Sequence, residues 1–157
     1  MKTFRNDHLY AEDHLAGFEA VTVLLENGEE ACLNVAREVR IPSDPDKMIE
    51  AARRAPARLA FWAYQSERAF TSLRKAEREA NRVEGYTYQV YRRMYENEGE
   101  TPTEGMIRAA LDQDPKVRKV RIAVSSRKSE YGVLRSMRDV MEHRAWMLRA
   151  LLQHRET

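Results

Sequence analysis

The feature that most limits what this chain can fold into is a long seam of small and apolar residues. Leu59, Trp62, Ser66, Ala69, Leu73, Ala76, Ala80, Val83, Thr87, Val90 and Met94 follow one another at alternating spacings of three and four. Such a seam, held for about five heptads, predicts one coiled-coil-like helix over residues 57–97. At ~1.5 Å per residue that helix is roughly 60 Å long. Gly85 interrupts the pattern and predicts a bend or a close contact. A second seam follows: Val117, Val120, Val124, Tyr131, Leu134, Met137, Met141, Ala145, Leu148 and Leu152. Two such helices joined by a short insertion make an antiparallel helical hairpin.

Capping residues and prolines divide the rest. Ile41-Pro42-Ser43-Asp44-Pro45 reads as extended, because each proline pushes its predecessor out of the helical region. Ser43 or Asp44 then caps a short helix through Ala55, whose apolar side is Met48, Ile49 and Ala52, and Pro56 is expected to end it. Glu98–Pro102 is a turn, and Thr103 caps a short helix carrying Met106, Ile107, Ala110 and Leu111. Asp114-Pro115 opens the last helix, with Asp as cap and Pro at the first helical position. Residues 1–41 leave two readings open. Leu15, Phe18, Thr22 and Leu25 have helical spacing, yet Val21–Leu25 and Ala31–Val35 flank Asn27-Gly28 as the strands of a β-hairpin would. The expected fold is therefore mainly all-α. It comprises a long antiparallel hairpin at 41–157 with short capping helices, preceded by an acidic segment at 1–40 that has room for a small β-hairpin. Two helices this long cannot bury their seams and flanking aromatics alone, so a homo-oligomer is expected.

Composition narrows the function. No stretch approaches ~18 consecutive apolar residues, which argues against a membrane span. The first residues carry acids where a signal peptide needs an apolar run, which makes the cytoplasm the expected location. Cys32 is the single cysteine and reads as a buried small hydrophobe, not a nucleophile. The four histidines lack metal-ligand spacing, so neither a metal site nor a cofactor is implied. With no phosphate-binding glycine loop and no Ser/His/Asp spacing, the chain does not read as an enzyme.

Charge is unevenly spread. Residues 1–45 hold 4 Lys and Arg against 9 Asp and Glu, whereas residues 115–155 hold 11 against 3. The basic excess suits a polyanion or an acidic partner, or simply a solvated face offset by the acidic segment. Two clusters stand out as candidate phosphate contacts. Arg74, Lys75, Arg78 and Arg82 form a stripe interleaved with Glu77, Glu79 and Glu84, so local ion pairing competes. Lys116, Arg118, Lys119 and Arg121 begin a run, continued by Arg127 and Lys128, that contains no acid as far as Arg127. Tyr86, Tyr88, Tyr91 and Tyr95 beside Arg92 and Arg93 offer stacking platforms for bases, although Tyr91 and Tyr95 at i, i+4 suit core packing better. Phe61, Trp62, Phe70 and Trp146 read as core or subunit contacts.

The order of these pieces resembles the UvsY family of phage recombination mediators over roughly residues 38–155. Val39-Arg40-Ile41-Pro42-Ser43-Asp44 followed by Met48-Ile49-Glu50-Ala51-Ala52 looks like the family's extended step into an apolar-x-Glu-Ala-Ala helix. Pro56, Leu59 and Phe61-Trp62 resemble the start of its long basic helix. Thr103–Ile107 with Asp112-Gln113-Asp114 resembles its short helix and acidic step, and Val117 onward, with Leu134, Met141 and Arg144, its terminal helix. Pro42 departs from the family, which tends to carry an acid there, and about 30 N-terminal residues are extra. The resemblance implies a ring-like homo-oligomer that binds single-stranded DNA, helps displace single-strand-binding protein and loads a RecA-like recombinase. Arg74, Lys75, Arg78, Arg82, Lys116, Arg118, Lys119 and Arg121 would then meet the DNA. Trp62, Leu73, Val83, Leu134, Met141 and Leu148 would hold the hairpin and the ring. The competing expectation is a DNA-independent helical structural or adaptor protein. A sequence-specific DNA binder fits less well, because no helix-turn-helix pattern is present.

Overall fold

A computed structural model describes residues 20–25 and 28–154. Strands β1 (Ala20–Leu24) and β2 (Glu30–Asn34) pair antiparallel, with Val21 opposite Leu33, Thr22 opposite Cys32 and Val23 opposite Ala31. The hairpin alternative thus holds for this stretch. The helical alternative through Leu15 and Phe18, like the acidic residues up to Glu19, lies outside the described residues. Helix α1 (Val35–Val39) follows, capped by Asn34, then α2 (Pro45–Asn97), α3 (Glu104–Gln113) and α4 (Pro115–Gln153). The mainly helical hairpin with a small N-terminal sheet is the observed fold.

Three expectations are corrected here. Pro56 does not end a helix; it lies inside α2, which runs unbroken for 53 residues. An interior proline costs about 3 kcal/mol, but Ala51, Ala52, Ala55 and Ala57 around it are the best helix formers. Packing adds to this, since Met48 and Ala55 bury into one cluster with Ala145 and Leu148. Cys32 is exposed, not buried, because strand alternation turns Val21 and Val23 inward and leaves Thr22 and Cys32 facing out. Gly85 marks no close contact: a Cβ there would stand in open space.

The expected caps form. Asp44 Oδ1 accepts from Lys47 N at 2.9 Å, and Thr103 Oγ1 accepts from Met106 N at 3.3 Å. The α2 C-terminus closes with Glu100 N donating to Tyr95 O at 3.0 Å and Gly99 N donating to Glu96 O at 3.1 Å. That arrangement is a Schellman motif, and Gly99 supplies its left-handed residue with φ +78°.

The described residues divide into two compact units, one formed by those up to Arg58 with those from Val140 onward, the other by Leu59–Asp139. In the first, Met48, Ala55, Ala145 and Leu148 are buried, with Ile41, Ala51, Ala52 and Leu152 packed against them. In the second, Trp62, Ser66, Ala69, Leu73, Ala80 and Thr87 of α2 are buried as the seam predicts, together with Leu134 and Met137 of α4. The contacts Phe70–Tyr131, Glu84–Arg121 and Tyr91–Asp114 run in opposite directions along the two helices, so they are antiparallel.

Val90 and Met94, placed in the seam by the heptad rule, are 45% and 42% exposed. A straight helix drifts about 20° per heptad against a 3.5-residue repeat. By the last turns of α2 the buried face has moved round to Tyr88, Tyr91 and Tyr95, which with Val83 pack on Ile107, Leu111 and Val117.

Candidate nucleic-acid interface

All eight cations singled out in the sequence fall in the second unit, and all are exposed. Their partners separate them. Arg74 pairs with Glu77 at 3.1 Å, and Arg82 with Glu79 through two hydrogen bonds of 3.0 and 2.8 Å. The Glu79 contact raises the Arg82 pKa, and the same contact lowers that of Glu79. Arg121 donates to Glu84 of α2 at 2.7 Å and to Asp112 of α3 at 2.6 Å. Its pKa is pushed further up, by Glu84 first and Asp112 second. Arg121 therefore clamps three helices. With Arg74, Glu77 and Glu84 it lines a hollow of about 450 Å³ in which cations and carboxylates balance.

Lys75, Arg78, Lys116, Arg118 and Lys119 make no ion pair with any described residue. Lys116, Arg118 and Lys119 surround the buried Val117 and fan over different sides of the first turn of α4. Lys75 and Arg78 instead belong to a longer feature that sequence reasoning divided. Tyr64, Arg68, Thr71, Lys75, Arg78, Arg82, Tyr86, Gln89 and Arg93 recur at spacings of three and four along the side of α2 away from the seam. Arg68 is half-buried, with its guanidinium 5.7 Å from the Tyr64 ring centre, and the others are exposed. No acid occupies a stripe position, although Glu67 and Glu79 flank it. The stripe extends roughly 44 Å at ~1.5 Å per residue. Its upper part holds a shallow hollow of about 470 Å³ between Tyr64, Arg68, Thr71 and Lys75. A signal for it was present, since its 3,4 spacing repeats that of the seam on the opposite face.

The tyrosines divide as well. Tyr88 OH donates to Glu104 at 2.8 Å and Tyr91 OH to Asp114 at 3.1 Å, and each contact raises the phenol pKa. Asp114 also accepts from the backbone N–H groups of Lys116 and Val117 at 2.8 and 3.1 Å. The Val117 bond is the largest cause of its lowered pKa. Tyr88, Tyr91 and Tyr95 are therefore packing residues. Tyr86, 71% exposed, is left as a stacking platform.

The fold and this surface define a helical hairpin whose long helix carries an apolar seam on one side and a basic, aromatic stripe on the other. The chain matches no protein-family model, no curated protein and no solved structure.

Proposed function

We propose that this chain is a recombination mediator. It binds single-stranded DNA as a homo-oligomer, helps displace single-strand-binding protein, and promotes loading of a RecA-like recombinase in the cytoplasm of the host cell. The observation that carries the reading is the outer stripe of α2. Cations at Lys75, Arg78 and Arg93 hold the backbone, and Tyr64 and Tyr86 offer faces on which any base stacks, so binding is sequence-tolerant. The family resemblance supports the same reading, and no helix among the described residues is long and apolar enough to cross a membrane.

The seam residues Trp62, Leu73, Leu134, Met141 and Leu148 are buried within the single chain, and Val83 is half-buried. They hold the hairpin, and a ring needs other surfaces. Val140, Met147 and Leu151 lie along one side of α4, are 44, 37 and 40% exposed, and supply an apolar face for self-association. Cations from several subunits then act on one strand, which raises the effective affinity of individually weak contacts.

The test is recombinase assembly on single-stranded DNA pre-coated with its binding protein, with light scattering of the free chain alongside. An oligomer that shortens the assembly lag supports the reading. An oligomer that leaves the lag unchanged and does not bind bare strands favours a DNA-independent helical adaptor.

A further inference from the structure

The first unit contains a cavity of about 590 Å³ unrelated to the α2 stripe. Four elements contribute to it. Arg37 comes from α1, Lys47, Arg54 and Arg58 from one face of α2, and Arg144 from α4, while Cys32 and Leu33 of β2 form its edge. Glu38 and Glu50 are the carboxylates in the wall. Both are already engaged: Glu50 Oε1 accepts from Arg54 Nε at 2.6 Å, and Glu38 Oε1 accepts from Arg58 Nη2. Five cations thus face two carboxylates.

The remaining charge is well placed. Arg37 and Lys47 are exposed and make no side-chain ion pair with a described residue. Their backbone N–H groups bond the caps Asn34 and Asp44, so each side chain leaves from a fixed helix turn. Arg144 spends Nε and Nη2 on the carbonyl of Arg40, at 3.2 and 3.0 Å. Burial lowers its pKa, the nearby Glu38 opposes this, and the Arg58 charge adds to it. Glu38 Oε2 is buried and accepts no hydrogen bond among the described residues. Leu33, Ala51 and Met141 give the same cavity an apolar wall.

We infer that this cavity binds a small di- or triphosphate compound, its phosphates held by Arg37, Lys47 and Arg144 and its organic part laid against Leu33, Ala51 and Met141. Guanidinium and ammonium groups from separate elements suit the several oxygens of a polyphosphate better than a single carboxylate. The volume lies in the range of small-molecule sites. A nucleoside triphosphate supplies both the charge and the organic part that these walls suit.

The test uses the full chain with Lys75→Glu, Arg78→Glu and Arg93→Glu, so that the α2 stripe does not contribute, and titrates it calorimetrically with pyrophosphate, ATP and a Glu-rich peptide. Pyrophosphate and ATP are expected to bind, with ATP at least as tight. Arg37→Ala and Lys47→Ala should each weaken binding about tenfold, the ordinary cost of one charge-assisted hydrogen bond. Cys32, the sole thiol and exposed at the edge, reports independently: bound ATP should slow its alkylation. Absence of phosphate binding at low salt, or affinity unchanged by both substitutions, overturns the inference. Binding of the acidic peptide alone also overturns it, in favour of a protein partner.

Discussion

Arg78 and Arg121 are both exposed arginines in the same unit, yet they are in opposite situations. Arg121 meets Glu84 and Asp112 and clamps α2, α3 and α4. Arg78 stands on the outer face of α2 with no carboxylate partner among the described residues. The difference shows that a cation's role here is set by what the opposite helix presents, and not by the local density of basic residues. Arg121, beside the seam, finds acids on two neighbouring helices, while Arg78 on the far side is left to solvent or a ligand.

The sharpest way to break that comparison is to reverse the outer charges. Lys75→Glu, Arg78→Glu and Arg93→Glu together should lower single-strand affinity by at least about a hundredfold, because affinity scales with the number of phosphates neutralised. Fluorescence anisotropy measures this, and a circular dichroism spectrum should remain unchanged. The next effect belongs to the tyrosines. Tyr86→Ala should weaken binding about tenfold through the loss of one stacked base, while Tyr95→Ala, a packing residue, should lower thermal stability with much less effect on affinity per folded molecule.

Arg121→Gln supplies the converse. Its bridges are partly exposed, so their loss should reduce Tm by only about 1–3 °C and change DNA affinity less than twofold. A large affinity loss with unchanged Tm would reassign Arg121 to the binding surface. The smallest effect concerns pH. Asp114 has its pKa lowered in the folded chain, so its contribution is complete above the ordinary Asp value of about 3.9. It is lost as pH falls through the lower folded value. Thermal melts toward about pH 3 should therefore lose stability, and Asp114→Asn should flatten that part of the curve.

How far the sequence could be read follows from the range of each interaction. The caps Asp44, Thr103 and Asp114 act within three residues, and the seam through Thr87 follows from helical periodicity, so both were legible. The local cost of Pro56 is visible in the sequence, while the Met48–Leu148 cluster that offsets it joins residues far apart in the chain. Cys32 needed the strand register, which the ambiguity of residues 1–41 withheld. The cavity cations leave no sequence signal, because Arg37, Lys47 and Arg144 come from separate elements and share no spacing. Tyr64 and Arg68 are hidden for a different reason: they lie beyond the dense basic cluster at residues 74–82.

The central claim is that the outer stripe of α2 binds a strand backbone, and a salt titration of single-stranded oligonucleotide binding tests it most directly. With Lys75, Arg78 and Arg93 engaged, log affinity should fall against log salt with a slope of about −2 per protomer. The slope should collapse in the triple charge-reversal variant. No binding at low salt, or the same slope in that variant, would contradict the account.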